Sequence, residues 1–334
     1  MNAFLFRCRL MFAQPALTRG ERQALVLAAV LTAALLAWPQ VASGYGLTRM
    51  RDALILALFA LSLDFLWGRA HLLILGHGLS FGIGAYAVAI ATTLLGWGIL
   101  AGIALGIAVA GLVAAALGYF LLYGGVRLHF FAIMSMAALM IAAQIATSWS
   151  SVTGGDVGIL GIPGWGSPAV TYYGAVAVLL VALGGVWALV RGPYGLVLAA
   201  IGMNEGRAKA LGHDSARHLV LAYAGGAALA GLAGGMFATT SGVIAPDVFA
   251  PILSTEVLVL VAIGGRGSLI GPVIAAVLIH HLSLTVSSYS TSLWPLMLGG
   301  LFLVLVFALP DGIGGLLRRI GRRQPRPAAS EVTR

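Results

Sequence analysis

The stretch GILAGIALGIAVAGLVAAALGYFLLY, residues 98–123, contains no charged residue and no proline. As a helix at ~1.5 Å per residue it extends about 39 Å, longer than the ~30 Å hydrocarbon core of a bilayer. Only a helix or a closed barrel satisfies its own backbone in lipid, and a run without alternation reads as helix. The rest of the chain agrees. Of 334 residues, 60% are hydrophobic and 9% are charged, whereas a soluble domain carries about 25% charged residues. So few charges cannot cover a water-facing surface. The expected fold class is all-α, a polytopic transmembrane helix bundle forming one integral domain.

Working outward from 98–123, further apolar runs fall at 24–39, 53–67, 71–95, 129–149, 169–190, 218–240, 252–263, 269–283 and 292–309. The runs 252–263 and 269–283 are short and are separated by GGRGS at 264–268. Charge decides whether they are one pass or two. If they are two, and the N-terminus is cytoplasmic, every Lys and Arg except Arg49 and Arg51 falls inside, which is the positive-inside pattern. The expectation is therefore about ten passes, two of them short and glycine-broken, with both termini cytoplasmic. Residues 1–23 form a cytoplasmic segment, 24–315 the membrane domain and 316–334 a basic, disordered cytoplasmic tail. A cleavable signal peptide is the alternative for 24–39, with VAS before Gly44 as its site. The apolar core is long for that, and the segment is kept as a span. The net charge of +9 sits between runs and in the tails, which points to orientation in lipid and not to nucleic acid. Cys8 is the one cysteine, so neither an intramolecular disulfide nor a thiolate metal site can form.

Within the third run, LGHGLSFGIGAY at 75–86 puts a histidine and four glycines into apolar surroundings. Gly78 and Gly82, and Ser80 and Gly84, are spaced for close helix packing, as are Ala227, Gly231 and Gly235 in 218–240. A second reading interrupts the helix near Gly76, His77 and Gly78, a break tolerated only beside protein or a water-filled path. Intramembrane carboxylates add to this. Glu256, on one face with Leu260 and Gly264, reads as path or gate. Asp64, five residues before Arg69, is open between that role and snorkelling to the surface. Residues 191–217, RGPYGLVLAAIGMNEGRAKALGHDSAR, are polar and lie between spans. Pro193 and Gly195 break the preceding helix, LVLAAI is helical, and a further short helix runs from Asn204 and Glu205 up to Gly212. Such helices suggest a docking surface. GRAHLL at 68–73 and GRGSLI at 265–270 look alike, which is read as chance or as a shared turn.

Enzymatic readings are poor. GLSFG at 78–82 matches the G-x-S-x-G nucleophile elbow but lacks its strand–turn–helix context. An intramembrane protease would need Ser80 with His280 or His281. No H-E-x-x-H zinc motif occurs, and the lone lysine, Lys209, is not in a P-loop. A passive channel is the remaining non-enzymatic alternative.

Several stretches in order carry a resemblance: LSLDFLWGRAHLLILGHGLSFGIGAYA at 61–87, TGGDVGILGIP at 153–163, GPYGLVLAAIGMNEGRAKALG at 192–212, LAGLAGGMFATTSGVIAPDVF at 229–249, STEVLVLVAIGGRGSLIGPV at 254–273 and LWPLMLGGLFLVLVFALPDGIGGLLRR at 293–319. Over roughly 53–319 the chain resembles the permease subunit of ATP-binding-cassette importers of the branched-chain amino acid class. The urea and short-amide permeases are similar. The resemblance implies an inner-membrane translocation subunit working by alternating access. It implies no cofactor in this chain, with ATP and Mg bound by partner ATPase subunits. A second permease subunit and a periplasmic solute-binding protein complete the implied complex, in lipid and without nucleic acid. It implies that Glu205, Arg207, Ala208 and Gly212 belong to the ATPase-coupling loop. Gly76, His77, Gly78, Glu256, Gly264 and Gly265 would line or gate the path. Thr153, Gly154, Gly155 and Asp156 would lie in a periplasmic loop. The chain departs from the family at Asp64, where Asn is usual, near His71 and Leu73, and at Gly206 and Lys209. These departures bear on substrate and not on fold.

Overall fold

The computed structural model describes residues 32–33, 35–40, 42–126, 128–287, 297, 299–300, 312 and 315. The expected segment 1–23, the tail 316–334 and most of the spans at 24–39 and 292–309 lie outside these. Among the described residues the main helices, in chain order, are α1 (Gly44–Asp64), α2 (Gly78–Thr93), α3 (Ile99–Tyr123), α4 (Leu128–Ser148), α5 (Pro168–Arg191), α6 (Pro193–Met203), α7 (Glu205–Ala210), α8 (Ser215–Ser241), α9 (Pro251–Gly264) and α10 (Ile270–Ser287). Among the described residues, four helices are long and apolar enough to cross a membrane, α3, most of α4, α5 and α8. The shorter apolar helices include α2, α6, α9 and most of α10. The chain is a multi-pass membrane protein with a helical-bundle fold.

Helix α1 is the centre of the bundle. From Ala53 to Leu66 every residue but Leu56 is buried, so it is packed on all sides, by α5, α8, α9 and α10. It begins well before the expected position 53. The Ser43 hydroxyl caps it by accepting from the Gly46 N–H at 3.3 Å. Arg49 and Arg51, expected in a connecting loop, are therefore helical. The helix tolerates them because Arg51 pairs with Asp52 at 2.8 Å and Arg49 lies over the Tyr45 ring at 4.4 Å.

Helices α2, α3 and α8 make the tightest packing, and small residues are the reason. The Gly84 and Gly231 backbones touch, Gly106 sits against the Gly84 carbonyl, and Ala110 fills the space over Gly231. A side chain at Gly84 would overlap the α8 backbone. The packing reading of the glycine spacing is therefore correct. So is the interruption. The run expected as one span at 71–95 is helical only from Gly78, and residues 71–77 form a non-helical segment buried at Leu72, Ile74 and His77.

At one end of the bundle, β1 (Ile159–Leu160) pairs antiparallel with β2 (Val243–Ile244), Ile159 opposite Ile244. This two-residue ladder is a local addition to a bundle that is otherwise helical, as the all-α expectation has it. It arises where the loops after α4 and α8 meet, and the Ile162 N–H extends it by donating to the Gly242 carbonyl at 3.1 Å. The long helices α5 and α8 lead from there to the opposite end, which carries residues 191–217.

Candidate functional site: broken helices and the 191–217 segment

The break before α2 leaves backbone N–H groups without helical partners. Serines from two other helices satisfy them. Ser135 of α4 accepts from the Gly76 N–H at 3.1 Å, and Ser254 of α9 accepts from the Gly78 N–H at 2.9 Å. Gly76 must be glycine, because a side chain there would enter the α4 backbone at Ser135. Between them His77 is 1% exposed. Its ring stacks on Phe59 with centroids 5.2 Å apart, and its Nε2 lies 2.7 Å from the Ser62 Oγ. The Ser62 hydroxyl already donates to the Phe59 carbonyl at 2.6 Å. With its proton so used, Ser62 accepts from His77, and the hydrogen-bond network assigns the His77 proton to Nε2. Nδ1 is then a buried acceptor with no hydrogen-bond partner among the described residues.

The second break separates α9 from α10. Gly264 ends α9 in backbone contact with Gly271 and Pro272, and Gly265 turns the chain at φ +91°. This elbow lies against the end of α1, which finishes in a π turn over Phe65–Arg69. The Asp64 carboxylate is fully buried and accepts from the Gly267 N–H at 2.6 Å and the Leu269 N–H at 2.9 Å. Arg69 Nη2 donates to the Gly267 carbonyl at 2.6 Å, and the Arg266 guanidinium lies over the Trp67 ring at 4.8 Å. The look-alike stretches at 68–73 and 265–270 are therefore two elbows in contact. Asp64 neither snorkels nor lines an open path. It holds the backbone of the other elbow.

Glu256 is not part of this arrangement. It is half-buried beside the exposed Thr255, while Leu260 one turn on is fully buried. It is Ser254, on another side of α9, that reaches the α2 break.

The 191–217 segment forms a structured handle. Pro193 starts α6 and Asn204 ends it, and the Asn204 Oδ1 then caps α7 by accepting from the Arg207 N–H at 2.9 Å. Glu205 pairs with Lys209 at 2.8 Å in solvent. Arg207 is exposed, Ala208 is 2% exposed and anchors α7, and Gly212 at φ +88° makes the stop. Met203, 87% exposed, stands at the tip. Side chains tie the handle to the bundle. The Tyr194 hydroxyl donates to the His218 carbonyl at 2.8 Å, and the Tyr123 hydroxyl donates to Asp214 at 2.9 Å. The Arg217 N–H and the Tyr123 hydroxyl hold the Asp214 carboxyl below its ordinary range. Gly202 packs its α-carbon against the His71 imidazole.

At the opposite end, Thr153 donates to the Ala146 carbonyl at 2.6 Å, Gly154 and Gly155 take φ of +76° and +62°, and Asp156 is exposed. Ser80 is buried in α2, and no histidine side chain hydrogen-bonds its hydroxyl among the described residues. His281 contacts the Val277 carbonyl instead.

The structure thus joins Gly76, His77 and Gly78 in one capped break and Gly264 and Gly265 in one elbow. It leaves Glu256 and the exposed Glu205 and Arg207 apart from both. Sequence reasoning missed Ser62, Ser135, Ser254 and Gly202, and named His71 only as a departure from the family. The likeness of the two elbows was the one signal that they belong together, and it pointed to none of these serines nor to Gly202.

The family described as branched-chain amino acid transport system / permease component matches residues 47–307. That range contains both breaks and the handle. The high-affinity branched-chain amino acid transport system permease protein LivM of Salmonella typhimurium is 31% identical over 327 residues, covering 87% of this chain and 75% of that protein. The protein of the same name from Escherichia coli is 30% identical with the same coverage. No solved structure matches. These relatives are transport permeases and not enzymes. The chain belongs to the family of branched-chain amino acid transport system permease components.

Proposed function

We propose that the chain is a membrane-spanning permease subunit of an ATP-binding-cassette importer in a bacterial inner membrane. It carries a branched-chain or related small amino acid by alternating access. The observation that carries the reading is the handle at 191–217: two short helices capped at Asn204, exposing Met203, Glu205 and Arg207 at one end of a bundle that lacks a nucleotide-binding motif of its own. On this reading about ten passes leave both termini and the handle cytoplasmic. Separate ATPase subunits bind ATP and Mg and grip the handle, a second permease subunit completes the bundle, and a periplasmic binding protein delivers substrate near Thr153–Asp156. The capped break at Gly76–Gly78 and the elbow at Gly264–Gly265 are the parts that rearrange, because irregular backbone at membrane depth can exchange partners without unzipping a whole helix. Glu256, on the less buried side of α9, faces the path or the second permease.

The test is uptake by the reconstituted complex against a panel of branched-chain and other amino acids, urea and short amides. ATP-dependent uptake of a branched-chain amino acid supports the reading. Uptake of urea or an amide alone reassigns the substrate, and solute flux without the ATPase subunits refutes the importer.

A further inference from the structure

The exposed tip of the handle carries Met203 with Glu205 and Arg207. Beside it, α6 packs on the π turn at Phe65–Arg69, and Gly202 of α6 lies against the His71 ring. We propose that His71 is the positioning residue through which the 193–203 helix moves the two latched elbows. This rests on the importer reading above.

His71 has φ +55°, a left-handed backbone that non-glycine residues seldom adopt. Such a conformation persists only where its surroundings impose it. Here the π turn at Phe65–Arg69 delivers the chain to His71, and its exposed ring lies against the α6 backbone. In this position the exposed imidazole occupies the space of a methyl group at residue 202, so an alanine there would turn the ring aside.

The chain on either side of His71 is held firmly. Leu72 and Ile74 are fully buried, and His77 is held by Ser62 and Phe59. On the N-terminal side, Asp64 and Arg69 latch the chain to the second elbow. A displacement of α6 against the ring therefore reaches both the Gly76–Gly78 break and the 265–269 turn through packed structure, which moves between discrete arrangements and does not deform gradually. Other routes exist through the direct packing of α6 on the π turn, and through Tyr194 and His218 into α8, whose Gly226 bears on Leu66. Only the His71 route enters the non-helical segment directly.

The experiment uses the full complex in liposomes and reads solute moved per ATP hydrolysed, together with copurification of the ATPase subunits. His71→Gly adopts left-handed backbone freely and has no side chain to meet Gly202. Gly202→Ala displaces the ring. Each variant is expected to lower solute moved per ATP by about tenfold, a coupling loss in the usual range, with the ATPase subunits still bound. The double variant should be no worse than His71→Gly, because both act on one contact. A ratio within about twofold of the native complex for His71→Gly, or multiplying effects in the double variant, overturns the proposal and favours the other routes. Loss of the ATPase subunits from the His71→Gly complex also overturns it, since the residue would then serve assembly. If the native complex shows no ATP-dependent uptake, the importer reading fails and this inference with it. Native uptake with an unaffected His71→Gly sinks this inference alone.

Discussion

At the scale of single residues, the chain places polar groups in an apolar interior where backbone needs them. Asp64, Ser135 and Ser254 each accept from N–H groups that a broken helix exposes. An unpaired buried donor costs about 1–3 kcal/mol, so Asp64→Ala, which strands two, should lower stability by about 2–6 kcal/mol. Asp64→Asn, which keeps one acceptor oxygen, should cost less. Thermal unfolding in detergent reads both, and an Asp64→Ala protein as stable as the native one would contradict the clamp. Asp214 behaves differently because it is exposed. The Arg217 N–H and the Tyr123 hydroxyl depress its folded pKa. Its contribution is thus present above the unfolded carboxylate value and is lost as pH falls through the lower folded value. Hydrogen exchange at the Arg217 amide, corrected for its intrinsic pH dependence, should lose protection over that acid window. In Asp214→Asn, which keeps the cap but not the charge, that dependence should be flat.

At the scale of elements, the α2–α3–α8 seam and the handle make separate predictions. Gly84→Leu forces α2 away from Gly231 and should destabilise the bundle by about 1–3 kcal/mol, the usual cost of overpacking. Melting of the purified chain measures it. Replacing Glu205 and Arg207 together by Ala removes only exposed side chains, and the Glu205–Lys209 pair contributes about 0–1 kcal/mol. Membrane levels of that variant should be unchanged while ATP-driven uptake falls. What was legible in the sequence divides along the same line. Spans such as 98–123, 169–190 and 218–240 lie within about three residues of α3, α5 and α8 because periodic apolar runs are a local property. The handle was legible from Pro193, Asn204 and Gly212, which act within a turn or two. The start of α1 was not, because two arginines in its early turns look like a loop until Asp52 and Tyr45 are seen beside them. The Asp64 clamp was illegible for a stronger reason: its partners lie 203 and 205 positions away and are backbone groups. No residue type announces a backbone donor. Likewise, nothing in Gly202 or His71 alone signals that one makes room for the other.

At the scale of the whole molecule, a central helix packed on all sides holds two interrupted helices by their breaks, and one structured segment outside the bundle bears on that junction. On the proposed function, that segment is the part a motor grips from the cytoplasm. Cysteine labelling at position 203 tests this most directly, in a chain whose lone native cysteine, Cys8, is first replaced by serine. Met203→Cys should resist an impermeant thiol reagent added to intact cells and react in inverted membrane vesicles. Bound ATPase subunits should then protect it. Labelling from the outside of intact cells, or equal labelling of vesicles with and without the ATPase subunits, would contradict the account.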